Sequence, residues 1–526
     1  MMLGNLGDWY IYNAARLSAA DYTAAHPLWY LDIPLPPDTT VSYKYVFQES
    51  DGSYTYEKGN RTVSVGPCGS PKFTQHDAYA GDSGETAPPV TRKVNQFAAH
   101  HDIVERGNSG GEGHGDGDMK GLSGRDLTHP PYEIHNAAGG LSDKTLWTGL
   151  VHSNGYTEYD THNLYGAMMS YTSRNTMIHR RPGLRPIIIT RSTFAGSGSQ
   201  VGHWLGDNSA TWFDYRVSIA ESISFAAIYQ MPMVGADVCG YAGETTEKLC
   251  ARWAMLGAFL PFYRNHESVG FTPHEFYRWP LTAAAARKAI KARYQLLDYI
   301  YTAMHQQSVD GTPTLYPMFF LYPEDQNTFD IALQYFYGNS LLISPVTNED
   351  ATDVTIYLPD DQFYDYFTHR PIRGTGAWTT LTNVDFTSIP VHIRGGSILP
   401  ERVDGANTTT SLRELDFNLV VAPGLDGTAS GDLYLDDGVS LEQAATSNIH
   451  FEYHHGHKLT MTGSYGYDAG VKIADVILLG KRDPTRITIN KPLTCDFTVR
   501  LPHQKIDSVT AQPNGTAVPQ WYGHGS

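Results

Sequence analysis

The spacing of apolar and polar residues changes character along the chain. Between residues 3 and 66, alternating stretches such as DTTVSYKYVF end at turns such as ESDGS, a pattern that indicates short strands joined in hairpins. From Pro130, apolar runs such as Ile187–Ile189 precede polar, glycine-rich turns, and helical stretches such as 214–229 lie between them. A repeated order of buried strand, polar loop and helix is typical of a β/α barrel, in which residues just after each strand line one face.

The remainder of the chain predicts one long helix followed by β structure. Residues 282–308 have the pattern of an amphipathic helix. Its apolar stripe comprises Ile290, Tyr294, Leu297, Tyr301 and Met304. After Gly311 the pattern changes to short β segments such as DVTIYLP and FNLVVAPG. Turns containing proline and glycine separate these segments, which predict one or two β-sandwich domains.

These segments predict a multidomain α/β and β protein with a partial barrel. The apolar runs account for about four strands, whereas closure of a (β/α)8 barrel of the TIM type needs about eight. The stretch GNSGGEGHGDGDMKGLSG has few apolar residues and predicts a flexible linker or insertion. The expected domains are a small N-terminal β-sandwich at 1–69, the linker or insertion at 70–128, the C-terminal half of the barrel at 129–310, a proximal C-terminal β-sandwich at 311–405 and a distal β domain at 406–526.

The composition excludes several classes of partner. The chain of 526 residues has a formal net charge of −17, which argues against nucleic acid and against an anionic membrane surface, since both attract Lys and Arg. No run approaches the ~18 consecutive apolar residues of a membrane-spanning helix. Aromatic residues make up 12%, with 34 Tyr and 9 Trp. This excess favours sugar binding, although aromatic-rich β-sandwich cores account for part of it.

The cysteine and asparagine positions indicate an oxidising, secretory environment. Cys239 and Cys250 lie close together around a glycine-containing turn, which permits one disulfide. No Cys/His spacing resembles a zinc site, and we expect neither a metal nor a cofactor. Glycosylation sequons begin at Asn60, Asn407 and Asn514. The opening MMLGNLGDWY lacks the basic and apolar regions of a signal peptide, so we expect an extracellular protein whose natural N-terminus lies upstream.

Five segments resemble glycoside hydrolase family 31 in the family's order, and above all its fungal α-glucosidase branch. They are EYDTHNLYG (158–166), RSTFAGSGSQVGHWLGDNSATW (191–212), GADVCGYAG (235–243), FLPFYRNH (259–266) and VHIRGGSILP (391–400). The resemblance spans about residues 127–440. It implies a retaining α-glucosidase, which passes through an oxocarbenium-like state and uses two carboxylates about 5–5.5 Å apart.

The resemblance implies a catalytic role for one aspartate. Asp207 matches the general acid/base, which protonates the glycosidic oxygen and later activates water. Arg191 and Asp237 match residues that hold hydroxyls of the terminal glucose. Taken alone, Asp207 could instead be the N-cap of a helix over 209–225, and Arg191 could form an ordinary surface ion pair.

The resemblance also implies the walls of the glucose subsite. Trp204 and Tyr241 match its aromatic walls, and His266 matches a hydrogen-bond partner of the sugar. Cys239 and Cys250 match a disulfide that pins the loop bearing the subsite aspartate. Each of these residues taken alone also has a purely structural interpretation as packing, a loop histidine or an ordinary disulfide.

One part of the family's active site has no counterpart in the chain. The family's nucleophile is an aspartate in a segment resembling W-x-D-M-N-E at the end of the fourth barrel strand, and residues 1–190 contain no such segment. YLDIPLP (30–36) matches only superficially and lies in a domain of another type. Because removing one catalytic member typically costs several powers of ten in rate, we expect no useful turnover from the chain alone.

The stretch from Leu6 to Gly69 resembles a starch-binding module of carbohydrate-binding family 20. It lacks the module's first strands and the usual partner of Cys68, so we expect a truncated module. Tyr56 stands where one starch site usually has a second Trp, and glycosylation at Asn60 would block that site. Core packing is the alternative role for the two tryptophans. The implied starch-binding residues are Trp9, Lys44, Tyr56 and Asn60 at one site and Tyr22 and Trp29 near the second.

The sequence therefore predicts a starch-binding polypeptide derived from an exo-acting α-glucosidase, which releases α-glucose from maltose, malto-oligosaccharides and starch. One alternative is a starch-binding protein without catalysis, which includes the product of a truncated gene. A second is the acid/base-bearing subunit of a two-chain enzyme, whose other chain supplies the N-terminal half of the barrel. A third keeps the fold but acts as an α-xylosidase or a glucan lyase.

Overall fold

The structure of the protein is a computed structural model. It describes residue 127, residues 141–454 and 457–502, and the backbone of five strands within residues 1–87. The chain divides into two compact units, Met1–Tyr159 and Asp160–Ser526. This division falls later than the barrel start that the sequence predicts at residue 129. No described helix combines the length and the apolar character that crossing a bilayer requires.

The five N-terminal strands form one sheet. They are β1 (Met2–Gly4), β2 (Thr40–Gln48), β3 (Tyr54–Glu57), β4 (Arg61–Ser64) and β5 (Asp82–Ala87). β2 pairs antiparallel with β1, β3 and β4, and β3 also pairs with β5. The predicted hairpin around ESDGS is present, because β2 and β3 flank that turn. β5 lies within the predicted linker, so the sheet continues past the boundary expected at residue 69.

Five short parallel strands form the barrel region of the second unit. β6 (Ile189–Thr190), β7 (Gly202–Trp204) and β8 (Val234–Gly235) form a three-stranded parallel sheet. β9 (Asp237–Val238) is parallel to β10 (Arg264–Asn265), and only Ala236 separates β8 from β9. The strands therefore follow one another in chain order. This arrangement confirms the partial barrel that the sequence predicts.

The first of these strands is less buried than its apolar sequence predicts. Ile187 is 70% exposed, and Ile189 and Thr190 of β6 are both partly exposed. β6 pairs with β7 and has no second neighbouring strand among the described residues. The prediction of a buried strand at 187–189 is therefore wrong in extent, because a strand at the edge of a parallel sheet is covered on one side only.

Six α-helices lie between residues 158 and 310, and those at 212–227 and 247–257 pack against β8 and β9. The six are α1 (Glu158–Thr161), α2 (Tyr165–Arg180), α3 (Trp212–Ala227), α4 (Glu247–Gly257), α5 (Pro280–Gln295) and α6 (Leu297–Asp310). α3 lies where the sequence predicts a helix at 214–229. Thr211 caps its N-terminus, since the Thr211 hydroxyl oxygen accepts a hydrogen bond from the Asp214 N–H at 3.1 Å.

The single helix predicted at 282–308 is two helices. They meet at Leu296, whose φ of −89° and ψ of 4° leave helical geometry. The predicted stripe is only partly buried. The stripe that packs into the core is Ala285, Ala289, Ala292, Leu296, Tyr299 and Ile300. Its alanines are small enough for α5 to lie closely against α4. The face of α5 that is buried is therefore the one that fits against α4, and not the one with the larger apolar side chains.

The parallel strands and the helices α3 and α4 share a hydrophobic core. Trp253 of α4 is fully buried, and its ring meets that of Tyr215 of α3 edge-on with centroids 5.5 Å apart. Phe259, at the end of α4, meets Tyr337 edge-on at 6.1 Å. Because Tyr337 belongs to the following β domain, the barrel region and that domain share one core.

Residues 315–394 form two sheets. Their strands are β11 (Leu315–Pro317), β12 (Tyr335–Tyr337), β13 (Leu341–Ile343), β14 (Val354–Leu358), β15 (Gln362–Asp365), β16 (Pro371–Arg373), β17 (Ala377–Leu381) and β18 (Val391–Arg394), with helix α7 (Met318–Leu321) after β11. The larger sheet has the order β11-β12-β13-β18-β15-β16, and β14 pairs with β17 in the smaller sheet. This proximal β domain confirms the predicted C-terminal β structure.

An eight-stranded sheet forms the distal domain, in the order β25-β24-β20-β19-β21-β22-β23-β26. Its strands are β19 (Ser397–Arg402), β20 (Phe417–Ala422), β21 (Ala429–Leu435), β22 (Ser447–His454), β23 (Lys458–Tyr465), β24 (Lys472–Leu478), β25 (Thr485–Pro492) and β26 (Phe497–Arg500), with helix α8 (Thr409–Arg413) after β19. The domain begins before the predicted boundary at residue 406, because β19 pairs with β20.

Two buried arginines join the barrel region to the β domains. Arg252 of α4 donates to four backbone carbonyls between residues 351 and 388, at 2.6 to 2.9 Å. Arg402 of β19 forms a buried ion pair with Asp298 of α6, with N···O distances of 2.7 and 2.9 Å. Because each guanidinium meets acceptors fixed in a neighbouring element, these contacts set how the domains pack.

Candidate active site

The candidate residues lie at or just beyond the carboxyl ends of the parallel strands. Arg191 follows β6, Trp204 ends β7 and precedes Asp207, Asp237 begins β9, and His266 follows β10. Parallel neighbours end on the same edge of a sheet, so loops and side chains at those ends come together. The structure places these residues around one edge of the barrel region.

The carboxylate of Asp207 faces the guanidinium of Arg191. Arg191 Nη1 lies 3.5 Å from Asp207 Oδ2, and both side chains are about half exposed, at 57% and 46%. They border a cavity of about 250 Å³, together with Leu205, Gly206 and Asn208. An ion pair this exposed contributes little to stability, at most about 1 kcal/mol. Arg191 therefore does form an exposed ion pair, and its partner in that pair is Asp207, the candidate acid/base.

Asp207 is not a helix cap. α3 begins at Trp212 and its N-cap is Thr211, four residues after Asp207. The Thr211 hydroxyl also donates to the Asp214 carboxylate at 2.5 Å, which completes the first turn. The interpretation of Asp207 as an N-cap is wrong, so its carboxylate is available for chemistry.

Asn208 ties the Asp207 loop to the loop that bears Asp237. Asn208 Nδ2 donates to the Asp237 carbonyl at 3.0 Å, and the Asp237 N–H donates to Asn208 Oδ1 at 3.0 Å. The Asn208 carbonyl also accepts from the N–H groups of Tyr241 at 2.7 Å and Ala242 at 3.2 Å. These contacts hold the two aspartate-bearing loops in one arrangement. Sequence reasoning assigned no role to Asn208.

Asp237 is fully buried and is bound on one oxygen only. Its Oδ1 accepts from Arg264 Nε at 2.9 Å and from Arg264 Nη2, while its Oδ2 has no hydrogen-bond partner among the described residues. Burial raises the pKa of Asp237, against the attraction of Arg264 and His266, and the negative charge of Asp207 raises it further. The four groups therefore share one electrostatic environment.

Sequence reasoning missed Arg264. The residue is within FLPFYRNH, and the parallel register of β10 and β9 sets Arg264 directly opposite Asp237. Arg264 directly follows the apolar stretch FLPFY, and a cation beside apolar residues favours an acidic partner, which was the available signal. The sequence alone does not reveal that the partner is Asp237.

Two guanidinium groups approach the ring of Trp204. The Cζ atoms of Arg191 and Arg264 are 5.6 and 5.4 Å from its ring centroid. The indole Nε1 is buried and has no hydrogen-bond partner among the described residues. Cation–π attraction therefore links Trp204 to both arginines, and its role as an aromatic wall of a glucose subsite stays a prediction.

The structure brings Tyr241 and His266 together. Their ring centroids are 5.0 Å apart. The His266 carbonyl accepts from Nε2 of the buried His274 at 2.9 Å, and the Ser268 N–H donates to the Tyr241 carbonyl at 2.8 Å. These backbone contacts hold the His266 loop against the Tyr241 loop.

A disulfide joins Cys239, just after β9, to Cys250 of α4. Both residues are fully buried. Gly240 has a φ of +92°, and a Cβ on it would lie 2.3 Å from the Cα of Ala210. Glycine is therefore required where this loop crosses the segment that follows Asp207.

The predicted starch-binding residues are only partly covered by the structure. Trp9, Tyr22, Trp29 and Asn60 lie outside the described residues. Lys44 and Tyr56 lie in β2 and β3, where Val46 is the strand partner of Tyr56. The predicted starch site stays a prediction.

Family profiles match three parts of the chain. The glycosyl hydrolases family 31 TIM-barrel domain matches residues 43–303, and the family 31 C-terminal domain matches residues 311–399. A starch binding domain matches residues 3–72 and overlaps the start of the barrel match. These matches agree with the predicted fold class and with the predicted starch-binding module.

Known proteins with similar sequences or structures are glycosidases. A probable alpha/beta-glucosidase of Aspergillus fumigatus is 58% identical over 369 residues, which cover 70% of this chain and 42% of that protein. An alpha-glucosidase of Hordeum vulgare is 40% identical over 374 residues, covering 68% and 42%. The solved glucosidase II alpha subunit has a TM-score of 0.64 and 28% identity, covering 68% and 44%.

The chain thus spans less than half the length of these relatives. The matched part includes the strand-end edge with Asp207, Asp237 and Arg264, and it extends into the C-terminal β structure. On this evidence the chain belongs to glycosyl hydrolase family 31 and carries a starch binding domain at its N-terminus.

Proposed function

We propose that this chain is the acid/base-bearing part of a retaining, exo-acting α-glucosidase that acts on maltose, malto-oligosaccharides and starch. The observation that carries the proposal is the approach of Asp207 to Arg191 at 3.5 Å, beside the buried Asp237. The fungal and plant glucosidases to which the chain is similar support this choice of reaction.

In this reaction Asp207 acts twice. It first donates its proton to the glycosidic oxygen as the bond to the anomeric carbon breaks and a second carboxylate attacks that carbon. It then takes a proton from the water that displaces this carboxylate from the glucosyl intermediate. Arg191 stabilises the Asp207 carboxylate that remains after the first proton transfer, since the two groups already face each other.

The second carboxylate has no counterpart in the chain's family motifs, and Asp237 does not replace it. A nucleophilic carboxylate must reach the anomeric carbon with an accessible oxygen. Asp237 is fully buried: Arg264 binds its Oδ1 through two N–H groups, and its Oδ2, which has no hydrogen-bond partner among the described residues, is buried as well. Burial also raises the pKa of Asp237, which disfavours the anionic form that attack needs. We therefore infer that the chain alone does not turn over maltose at ordinary enzyme rates.

Kinetics of purified chain 1–526 test this inference. We expect glucose release from maltose to stay at the level of the Asp207→Asn variant, which removes the proton donor without changing the shape of the side chain. A wild-type rate several powers of ten above that variant would require another nucleophile and would overturn the proposal. Identifying the product would further separate α-glucoside hydrolysis from α-xylosidase or lyase chemistry.

A second polypeptide that completes the barrel is the favoured route to activity. β6 has a single neighbouring strand in the described part of the chain. Beside it, Ile187 is 70% exposed, and the nearby helix α2 presents Met168 at 59% and Met169 at 52%. α2 reaches this edge, since a Cβ on Gly166 would lie 2.3 Å from the Cβ of Ser192. We propose that a polypeptide bearing the N-terminal half of the barrel adds a parallel strand here.

Co-expression tests this partner directly. The chain would be produced with the N-terminal half of the Aspergillus fumigatus relative, and we expect co-purification together with maltose hydrolysis. Ile187→Asp should abolish both, because it places a charge on the covered edge. Leu425→Asp is the matched control, since Leu425 is 56% exposed and lies between β20 and β21 of the distal domain. Two soluble halves that neither associate nor hydrolyse maltose would contradict the proposal.

We propose that the chain binds starch whether or not it is catalytically active. The match to a starch binding domain over residues 3–72 supports it. We expect retention on granular starch, and weaker retention for Trp9→Ala. Equal retention of both proteins would exclude Trp9 from the contact and favour another surface.

We further propose that the protein is secreted and glycosylated. The disulfide between Cys239 and Cys250 and the exposed sequon at Asn407 support this environment. Expression through a fungal secretory pathway should give a product whose apparent mass falls after endoglycosidase treatment. Asn407→Gln should reduce that mass difference, and an unchanged difference would exclude this sequon.

A further inference from the structure

The distal domain contains a second cavity, which has no role in the proposed reaction. Its volume is about 290 Å³, close to the lower end of the range of about 300–1,000 Å³ for small-molecule sites. It lies between α8, the end of β21 and the loop from β23 to β24. Its lining includes Arg402, Arg413, Glu414, Tyr467, Ala469 and Val471.

The polar lining is held in place by contacts within the protein. Arg402 is fully buried and is bound by Asp298 at 2.7 and 2.9 Å. Arg413 Nη2 donates to the carbonyl of Asp436. The Tyr467 N–H donates to the Ser447 hydroxyl at 3.0 Å, and that hydroxyl donates to the Tyr467 carbonyl at 2.8 Å. The cavity is therefore preformed, which lowers the entropy cost of binding.

Two charged groups of the lining still have free hydrogen-bonding capacity. Within the described residues, Nε and Nη1 of Arg413 donate no hydrogen bond, and the Glu414 carboxylate accepts none. By contrast, the N–H groups of Arg402 are largely taken up by Asp298 and by the carbonyls of Arg413 and Leu415. Glu414 is exposed and Arg413 is half-buried, so a ligand in this cavity can accept from Arg413 and donate to Glu414.

We propose that this cavity binds one neutral, hydroxyl-rich sugar ring, such as a glucose unit of an α-glucan. Neighbouring ring hydroxyls both donate and accept, so one sugar serves Arg413 and Glu414 at once. Arg413 Cζ lies 6.0 Å from the centroid of the Tyr467 ring, so a sugar that packs its C–H face on the ring would also lie beside this guanidinium. Glu414 disfavours an anion and Arg413 disfavours a cation, while an apolar ligand would desolvate the half-buried Arg413 without giving it a partner. The choice of glucan rests on the proposed function.

Hydrogen-exchange mass spectrometry of the full chain with maltose tests the site. We expect slower exchange in peptides covering 409–416 and 466–472 when maltose is added at tens of millimolar. Ala469→Phe fills the cavity without removing a hydrogen-bonding group and should abolish this protection. Ala444→Phe is the matched control, because Ala444 is exposed and outside the lining. It should keep the protection.

The same data separate this site from the candidate active site. Peptides covering 203–212 and 235–243 report on Asp207 and Asp237. If maltose does not slow exchange in these peptides, the result counts against the proposed function and not against the cavity. The cavity proposal is overturned if 409–416 and 466–472 are not protected by maltose in a folded wild-type chain. It is also overturned if Ala469→Phe, with an unchanged melting temperature, retains the protection, or if inorganic sulfate protects these peptides and maltose does not.

Discussion

Replacing Arg264 by leucine tests how the barrel region holds a buried carboxylate. Asp237 is 0% exposed, and Arg264 supplies both N–H groups that its Oδ1 receives. Breaking a buried ion pair by removing one partner typically costs about 3–5 kcal/mol. The Arg264 side chain is 36% exposed, so water can enter the space that it leaves. We therefore expect Arg264→Leu to lower the free energy of unfolding by about 3 kcal/mol, at the lower end of that range.

The sign of the pH dependence follows from the same contacts. Arg264 opposes the burial that raises the pKa of Asp237, so removing Arg264 raises that pKa further. A carboxyl group with a raised folded-state pKa destabilises the fold as the pH rises and the unfolded chain ionises first. The cost of Arg264→Leu should therefore be largest at neutral pH and should shrink as the pH falls and Asp237 is protonated.

Urea unfolding followed by tryptophan fluorescence measures the effect, because Trp253 and Trp204 lie in this region. The double variant Arg264→Leu, Asp237→Asn should recover most of the loss at neutral pH, since an amide carries no charge to compensate. Arg278→Leu, at an exposed arginine, is the matched control and should change little. A loss below about 1 kcal/mol in Arg264→Leu, or no recovery in the double variant, would refute the reasoning.

Three further predictions concern stability. Burial raises the pKa of Glu401 from 4.5 to about 7. The free energy of unfolding of Glu401→Gln should therefore match that of the wild type near pH 4 and exceed it above pH 7 by up to about 3 kcal/mol. A difference between the two proteins that calorimetry finds to be the same at every pH would contradict this. Gly240→Ala should cost more than Gly243→Ala, because both have positive φ but only Gly240 meets a backbone atom at 2.3 Å; equal melting temperatures would contradict this. Thr211→Ala should cost about 1 kcal/mol as a lost cap, whereas Asp207→Asn should leave the unfolding free energy nearly unchanged.

The resemblance to family 31 motifs indicated the candidate residues along the chain. The structure places Arg191, Asp207, Asp237 and His266 within three residues of the end of a strand. They lie close together because parallel strands present their carboxyl ends on one edge, and their roles stay predictions. The contacts of Asp237 could not be predicted in the same way. They depend on the parallel register of β9 and β10, which places Arg264 beside it.

The predicted bounds and buried faces of helices and strands were wrong where residues distant in sequence decide which side chains are buried. The helix predicted at 282–308 breaks at Leu296, and its small alanines pack inward because α4 lies close. Ile187 is exposed although its neighbours in sequence are apolar, because β6 is an edge strand in the described part of the chain. Only Gly395 and Gly396 separate β18, which ends at Arg394 in the proximal sheet, from β19, which begins at Ser397 in the distal sheet, and no local pattern marks this short connection as a domain boundary.

The sequence by itself was sufficient to predict the family and the fold class, because these are encoded in short motifs and in the alternation of apolar and polar positions, and the same motifs indicated candidate residues for the chemistry. Only the tertiary structure decided which of those residues meet. Asn208 joins two loops across 29 positions of sequence, and Arg264 reaches Asp237 across 27. Such contacts follow from strand register and packing. The energy of a hydrogen bond or an ion pair depends on the distance between its atoms, and not on how far apart the residues are along the chain.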